Sequence, residues 1–141
     1  MKIIYRGGYQ TANADQSLFY AYSTQIKRFI NNGKNVVYVT FAKPNNYYDT
    51  RMVESLGFIP QVVDTNCGKD VDWGSFDLIV IPGGETEVLQ QCLIDWGFSL
   101  SKLKQEVIVI GDSAGAYVLS KFYFGKKQNI NGQTEYYLIE G

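Results

Sequence analysis

The sequence predicts an α/β protein whose doubly wound, mostly parallel sheet is covered by helices on both faces. Apolar, β-branched segments alternate along the chain with segments that repeat apolar residues at helical spacing. Two of the strand-like segments are apolar on both faces, which is typical of parallel strands between two helical layers. The 141 residues, of which 45% are hydrophobic and 19% charged, suffice for one core. We therefore expect a single domain over residues 1–141.

The first half of the chain contains three predicted strands and two predicted helices. The strands are predicted at residues 2–5, 35–41 and 58–64. The helices are predicted at residues 15–32 and 49–56. Gly33 and Gly57 directly follow the two helices, as glycine does at many helix ends. Pro60 cannot donate a hydrogen bond to a neighbouring strand, so the third strand is expected at an edge of the sheet.

The second half continues the alternation and then changes character. Strands are predicted at residues 76–84 and 107–111, with an amphipathic helix at 85–98 between them and a further apolar helix after Ser113. Near the end, Asn131-Gly132 separates two stretches in which polar and apolar residues alternate. This pattern predicts a C-terminal hairpin.

Composition excludes several kinds of partner. The formal net charge is −1 and the basic residues are scattered, which disfavours nucleic acid. No apolar segment approaches the roughly 18 residues that a membrane span needs, and the segment MKIIYRGGYQ lacks the pattern of a secretion signal. We therefore expect a cytoplasmic protein. Cys67 and Cys92 have no paired spacing, so no disulfide, metal site or cofactor is indicated.

A serine in a strand-to-helix turn is the strongest sign of chemistry in the sequence. The run VIVIGDSAGAYVL places Ser113 between Gly111 and Gly115, the spacing of a nucleophile elbow. Asp112 and Ala114 complete the turn. Glycine is needed at the two flanking positions because a Cβ there would collide with the neighbouring chain, and the turn exposes the serine Oγ at the sheet edge.

Two other glycine turns are expected at the same edge, because ligands bind beyond the carboxyl ends of parallel strands. An oxyanion hole would use the backbone N–H of Ala114 and an N–H of the Gly83-Gly84 turn. The candidate substrate contacts are Gly7, Gly8, Glu85 and Thr86. The alternative interpretation is that these glycines only allow close packing at strand–helix turns, since the five-residue serine pattern also arises by chance.

These motifs together resemble a known family. The segment IPGGETEVLQQ, followed by VIVIGDSAGAYVLS, resembles the dipeptidase E serine peptidases, which include the α-aspartyl dipeptidases and have cyanophycinase as a relative. The resemblance covers essentially the whole chain and implies the class I glutamine-amidotransferase-like fold with a flavodoxin-like core. It also implies that Ser113 is the nucleophile of peptide hydrolysis, with oxyanion donors at Ala114 and at Gly83-Gly84.

The chain departs from the family pattern in two places. Many members carry Asn or Asp after the double glycine, where this chain has Glu85. More important, the 141 residues contain no histidine, and the family's catalytic histidine follows the serine in a continuation beyond residue 141. The resemblance therefore implies a chain that is short at its C-terminus and has weak or no peptidase activity by itself.

Two questions stay open at the level of sequence. A carboxylate of Glu85, Glu87 or Asp112 is a candidate substitute base, although acidic residues also occur in first helical turns because they interact favourably with the helix dipole. The rival function is a non-catalytic module that binds a small anion or a protein at the same glycine turns. A missing final segment would leave apolar sheet surface uncovered, so self-association into a homo-oligomer is also expected.

Overall fold

The computed structural model describes residues 1–7, 17–29, 34–43, 60–120, 122–128 and 130–140. Within these residues, five strands form one parallel sheet in the order β1-β5-β4-β2-β3. The strands are β1 (Lys2–Arg6), β2 (Val36–Val39), β3 (Gln61–Val63), β4 (Leu78–Ile81) and β5 (Ile108–Asp112). The parallel sheet confirms the α/β fold class that the sequence predicts.

Three α-helices lie within the described residues and cover both faces of the sheet. They are α1 (Ser17–Arg28), α2 (Thr86–Asp95) and α3 (Ala114–Leu119). Ile26 of α1 packs on one face of the sheet, with Val80 of β4 and Ile110 of β5. Leu89 and Leu93 of α2 pack on the other face in a larger apolar cluster. None of the described helices has the length and apolar character to cross a membrane.

The central strands explain why the sheet needs two helical layers. All four residues of β2 are buried, and so are all four residues of β4. Because successive side chains of a strand point to opposite faces, alternate residues of these strands belong to the two different clusters. Burial of an aliphatic side chain contributes about 1.5–3 kcal/mol, so these two strands contribute much of the stability of the fold.

Most predicted elements are present, but β2 and β4 are shorter than predicted. β2 stops at Val39 because the next residues form a turn in which the N–H of Lys43 donates to the carbonyl of Thr40, at 3.0 Å. β4 spans Leu78–Ile81 within the predicted 76–84. The helix predicted at 85–98 ends at Asp95, and Gly97 (φ 68°) adopts the left-handed conformation that often ends a helix.

Some sequence predictions fall outside the described residues. The helix predicted at residues 49–56 lies wholly outside them, as does Gly8. The helix predicted at 15–32 is described only over Ser17–Arg28, with a turn at Phe29. The third strand is described from Pro60 onward, and β3 begins one residue later at the outer edge of the sheet, where the proline is expected.

The predicted hairpin is present as a separate two-stranded antiparallel sheet. Its strands are β6 (Phe122–Gln128) and β7 (Thr134–Glu140). Gly132 in the connecting turn has φ 75°, a conformation that glycine adopts without steric cost.

An aromatic cluster packs the segment between β3 and β4 against the end of α2. The indole N–H of Trp73 donates to the carbonyl of Trp96 at 2.8 Å. The ring of Trp73 contacts the ring of Phe98 edge-on, with 5.1 Å between the ring centroids. The ring centroids of Phe41 and Trp96 are 5.0 Å apart. The sequence does not reveal this cluster, because its residues are far apart along the chain.

The amino ends of three strands are fixed by Asp77, which directly precedes β4. One oxygen of its carboxylate accepts the backbone N–H of Asn35 at 2.7 Å, and the other accepts the ammonium of Lys104 at 2.8 Å. Its carbonyl accepts the N–H of Ile108 at 3.1 Å. The N–H of Asn35 and the Lys104 ammonium hold the pKa of the Asp77 carboxyl below its ordinary value.

We predict that Asp77→Asn lowers the free energy of unfolding at pH 7 by about 1 kcal/mol, because it weakens charge-assisted hydrogen bonds at a partly exposed site. Since the pKa of Asp77 is lowered in the folded state, its contribution is present above the unfolded-state pKa. That contribution is lost as the pH falls through the folded-state pKa. Urea unfolding at several pH values measures the effect. Asp70→Asn, at an exposed loop carboxylate, is the control, and an equal loss in both variants would contradict the assignment.

Candidate active site

The carboxyl ends of the parallel strands meet at one edge of the sheet, where this fold class binds ligands. Ser113 follows β5, and Gly83-Gly84 follows the neighbouring strand β4. Gly7 follows β1 on the other side of β5, and the turn at residues 40–43 follows β2. The structure therefore brings the serine and the described glycine turns to the same edge.

Ser113 has an unusual backbone conformation. Its φ is 51° and its ψ is −108°, and it is the one non-glycine residue with positive φ in the described part of the chain. Such a conformation costs on the order of 1–3 kcal/mol and persists only when the surrounding structure enforces it. The Ser113 N–H donates to the carbonyl of Arg6 at 2.9 Å, and its carbonyl accepts the N–H of Tyr117 at 3.0 Å. The residue is thus held from both sides, by β1 and by α3.

Two glycines permit this turn because no side chain fits at their positions. A Cβ on Gly115 would lie 1.9 Å from the carbonyl oxygen of Ile81. A Cβ on Gly111 would lie 2.6 Å from the carbonyl oxygen of Gly115 and 2.7 Å from Leu119. Real Cβ atoms do not approach other heavy atoms this closely. Glycine at position 115 therefore lets α3 pack against the end of β4, and glycine at position 111 lets α3 pack against β5.

The glycine turn after β4 touches the serine directly. A Cβ on Gly83 would lie 2.9 Å from the Ser113 Cβ and 3.5 Å from its Oγ. Gly84 has φ 148°, and a Cβ there would lie 2.0 Å from the carbonyl oxygen of Ala42. Ala114 is the first residue of α3, so its N–H has no acceptor within the helix. The Gly83-Gly84 turn, the serine Oγ and this N–H lie side by side.

The turn at residues 40–43 supports the glycine turn, and the sequence analysis does not identify it. The carbonyl of Ala42 accepts the N–H of Glu85 at 2.8 Å. This bond fixes the start of α2 and leaves no room beside Gly84. Their position could have indicated this role, because residues 40–43 directly follow a buried strand and the carboxyl ends of parallel strands lie at one side of the sheet.

The candidate carboxylates occupy two different environments. Asp112 is only 2% exposed, and it follows Ile108 and Ile110 on the face of the sheet that α1 covers. Glu85 precedes the first turn of α2 and Glu87 lies in it, and both are exposed. Asp112 therefore lies inside the fold, whereas the two glutamates lie in solvent beside the glycine turn.

The other predicted contacts also lie near this edge. Thr86 is the first residue of α2 and is half-buried. Gly7 is exposed, and nothing lies within 4 Å of a Cβ built on it, so packing does not require glycine there.

Neither metal-ligand clusters nor cysteine pairs occur among the described residues. No group of three or more His, Cys, Asp or Glu side chains comes together within that part of the chain. Cys67 and Cys92 are both free. Burial, followed by the nearby Asp95, raises the pKa of the Cys92 thiol, which keeps this thiol protonated and unreactive.

An apolar groove of about 590 Å³ lies away from the serine. It is lined by the carboxyl-terminal halves of α2 and α3, including Ile94 and Leu119, by Phe98, and by Leu100 at the start of a short 3-10 helix, Leu100–Lys102. Ser113 and Gly84 lie at the opposite ends of these two helices. The groove is therefore separate from the candidate active site.

The fold and this edge define an α/β protein with a strained serine at the carboxyl end of a central strand. A family model described as peptidase family S51 matches residues 10–137, and the chain belongs to this family. It is the family of dipeptidase E and cyanophycinase, so the resemblance seen in the sequence is confirmed. At the family level the chain is of the peptidase type. No curated protein matches it.

We predict that Gly115→Ala lowers the free energy of unfolding by about 3 kcal/mol, because the new methyl group would overlap the carbonyl of Ile81. Gly68→Ala is the matched control, since nothing lies within 4 Å of a Cβ on that loop glycine. The control should stay within about 0.5 kcal/mol of the unmodified chain. Equal stability of the two variants in denaturant titrations would contradict the close packing of α3 on β4.

Proposed function

We propose that Ser113 is the nucleophile of a serine-type peptidase-like site that acts on small peptides. The observation that carries this proposal is the strained backbone of Ser113, at φ 51° and ψ −108°. Strain of this kind clusters at functional sites, because surrounding interactions must maintain it. The membership in peptidase family S51 supports the same conclusion.

The backbone around Ser113 suits stabilisation of an oxyanion. Attack by the serine Oγ on a peptide carbonyl places negative charge on the carbonyl oxygen, which needs fixed hydrogen-bond donors. The N–H of Ala114 and an N–H of Gly83-Gly84 are the proposed donors. Loss of one such donor typically costs about 10²–10³ in rate. A glycine at position 83 also lets the donors approach the serine, since a Cβ there would touch the Ser113 side chain.

Attack by Ser113 also requires a group that accepts the proton of its hydroxyl. Serine is normally activated by histidine, whose pKa lies near neutral pH, and these 141 residues contain none. We therefore propose weak or no hydrolysis by this chain alone. Serine hydrolases stripped of their triad still retain about 10³–10⁴-fold acceleration over water, through the oxyanion hole and substrate binding.

A carboxylate is the second candidate base. The backbone N–H of Glu85 is fixed to Ala42, which keeps this residue beside the Gly83-Gly84 turn. Asp112 is less suited, because it is buried on the opposite face of the sheet from α2. If a carboxylate acts as the base, Glu85→Gln would abolish hydrolysis while the protein stays folded.

The alternative function is non-catalytic binding of a small anion or a protein at the same edge. The lack of histidine favours it. Against anion binding, Glu85 and Glu87 place negative charge at the start of α2, where a bound anion would otherwise be stabilised by the helix dipole. The hydrolase proposal is therefore the stronger of the two.

Chemical rescue tests the proposal. We predict that a fluorophosphonate probe labels Ser113 slowly, and that added imidazole accelerates the labelling because it supplies the missing general base. Intact-mass spectrometry measures the adduct. Ser113→Ala should show no adduct, whereas Ser101→Ala, at an exposed serine remote from the turn, should label like the unmodified chain.

Each outcome distinguishes the alternatives. Rapid labelling without imidazole that disappears in Glu85→Gln would favour the carboxylate base. No labelling of Ser113 at any imidazole concentration, in a protein with intact circular dichroism, would contradict the nucleophile. Saturable binding of a small carboxylate without turnover would then support the binding module.

A further inference from the structure

The turn after β2 is fixed by contacts that do not involve the serine. The N–H of Thr40 donates to the carbonyl of Val63 in β3, and the N–H of Lys43 donates to the carbonyl of Thr40, both at 3.0 Å. Phe41 and Ala42, the two residues between Thr40 and Lys43, are each 1% exposed. Backbone hydrogen bonds and burial therefore hold residues 40–43 at the end of β2.

The side chain of Thr40 contributes no hydrogen bond to this turn. Thr40 is 0% exposed, yet its hydroxyl has no hydrogen-bond partner in the part of the chain that the structure describes. A buried hydroxyl without a partner lowers stability. The position of the turn thus depends on main-chain hydrogen bonds, to which the type of side chain at position 40 adds nothing.

The glycine turn after β4 depends on the turn after β2 for its position. Neither Gly83 nor Gly84 forms a backbone hydrogen bond with another described residue. Where the glycine turn ends, the N–H of Glu85 donates to the carbonyl of Ala42 at 2.8 Å, and the same carbonyl fills the space beside Gly84. Ala42 therefore determines where the two glycine N–H groups lie relative to Ser113.

The exact position of these N–H groups matters for the proposed chemistry. A donor of an oxyanion hole must lie about 2.7–3.1 Å from the oxygen that becomes charged. A misplacement of about 1 Å can cost roughly 10²-fold in rate. Gly83 lies directly beside the nucleophile, since a Cβ built on it would be 2.9 Å from the Ser113 Cβ. A small displacement of the glycine turn would therefore move the donors while leaving Ser113 itself unchanged.

We propose that Ala42 is a positioning residue for the reaction of Ser113, and that its carbonyl keeps the oxyanion donors of the Gly83-Gly84 turn in place. This inference rests on the proposed function, because it assigns a role in the same chemistry. It adds a requirement in a third segment of the chain. The turn after β2 has to be correctly formed for the serine after β5 to react.

Lys43→Pro tests the proposal, because it opens the turn without changing a residue of the candidate active site. Proline has no N–H to donate to Thr40, and it disfavours the turn conformation of the preceding residue, Ala42. The maximal rate of imidazole-assisted labelling of Ser113 by the fluorophosphonate should fall about tenfold or more. The probe concentration that gives half of this rate should change by less than about twofold, because oxyanion donors act mainly in the transition state.

Two other variants of the same turn are the controls. Lys43→Met keeps the N–H and removes only the charge, and Thr40→Val removes only the hydroxyl that lacks a partner among the described residues. Both should label at the rate of the unmodified chain. Amide hydrogen exchange at Glu85 verifies the structural change, because loss of the bond to Ala42 should accelerate exchange in Lys43→Pro and in neither control.

The outcomes separate the positioning role from the nucleophile. Equal maximal rates in Lys43→Pro and Lys43→Met, with faster exchange at Glu85 in the proline variant alone, would overturn the role of Ala42 and leave Ser113 as the nucleophile. A change confined to the half-maximal probe concentration would also overturn it, in favour of a role in binding. No labelling of the unmodified chain at any imidazole concentration would overturn both proposals.

Ala42→Gly provides a test that does not depend on folding of the proline variant. Glycine at position 42 loosens the backbone that presents the carbonyl to Glu85. The maximal labelling rate should fall about threefold or more, since the donors would be less well positioned. An unchanged rate in a protein with native circular dichroism would overturn the proposal.

Discussion

The close approach of α3 to the end of β4 is the constraint on which the candidate site depends. The carbonyl of Ile81 occupies the space where any side chain at position 115 would lie. This contact brings the first turn of α3 against the sheet, and the positive φ of Ser113 is the conformation that allows the chain to reverse there. Helix packing and the strained serine are therefore one feature, and changing either residue type would alter both.

The amino ends and the carboxyl ends of the strands differ in their roles. At the amino ends of the strands, Asp77 joins three strands through charged and backbone hydrogen bonds. At the carboxyl ends, glycines replace side chains and leave backbone N–H groups beside Ser113. Polar side chains therefore hold the strands together at their amino ends, whereas the candidate chemistry lies at their carboxyl ends, where the backbone is accessible. Ser113 also needs a general base, and these 141 residues contain no histidine for that role.

Periodicity and glycine spacing predicted the parallel sheet, the helical layers and the hairpin, because each depends on local sequence. The serine turn was also visible as a motif, since its two glycines and the serine lie within five residues, although the carbonyl of Ile81 that excludes a side chain at position 115 is distant in the sequence. Contacts between distant segments were not predictable. The carbonyl of Ala42 that holds Glu85 and the carbonyl of Arg6 that holds Ser113 are backbone groups, which leave no signature in residue type.

The indole pair at the far end of α2 determines what the intrinsic fluorescence of the protein can report. The chain has two tryptophans, and both are nearly inaccessible, at 2% for Trp73 and 8% for Trp96. Since they belong to one aromatic cluster, their emission should be that of a nonpolar environment and should shift to longer wavelength when this cluster opens. The emission is therefore a probe of global unfolding, whereas occupancy of the edge that carries Ser113 requires an added chromophore.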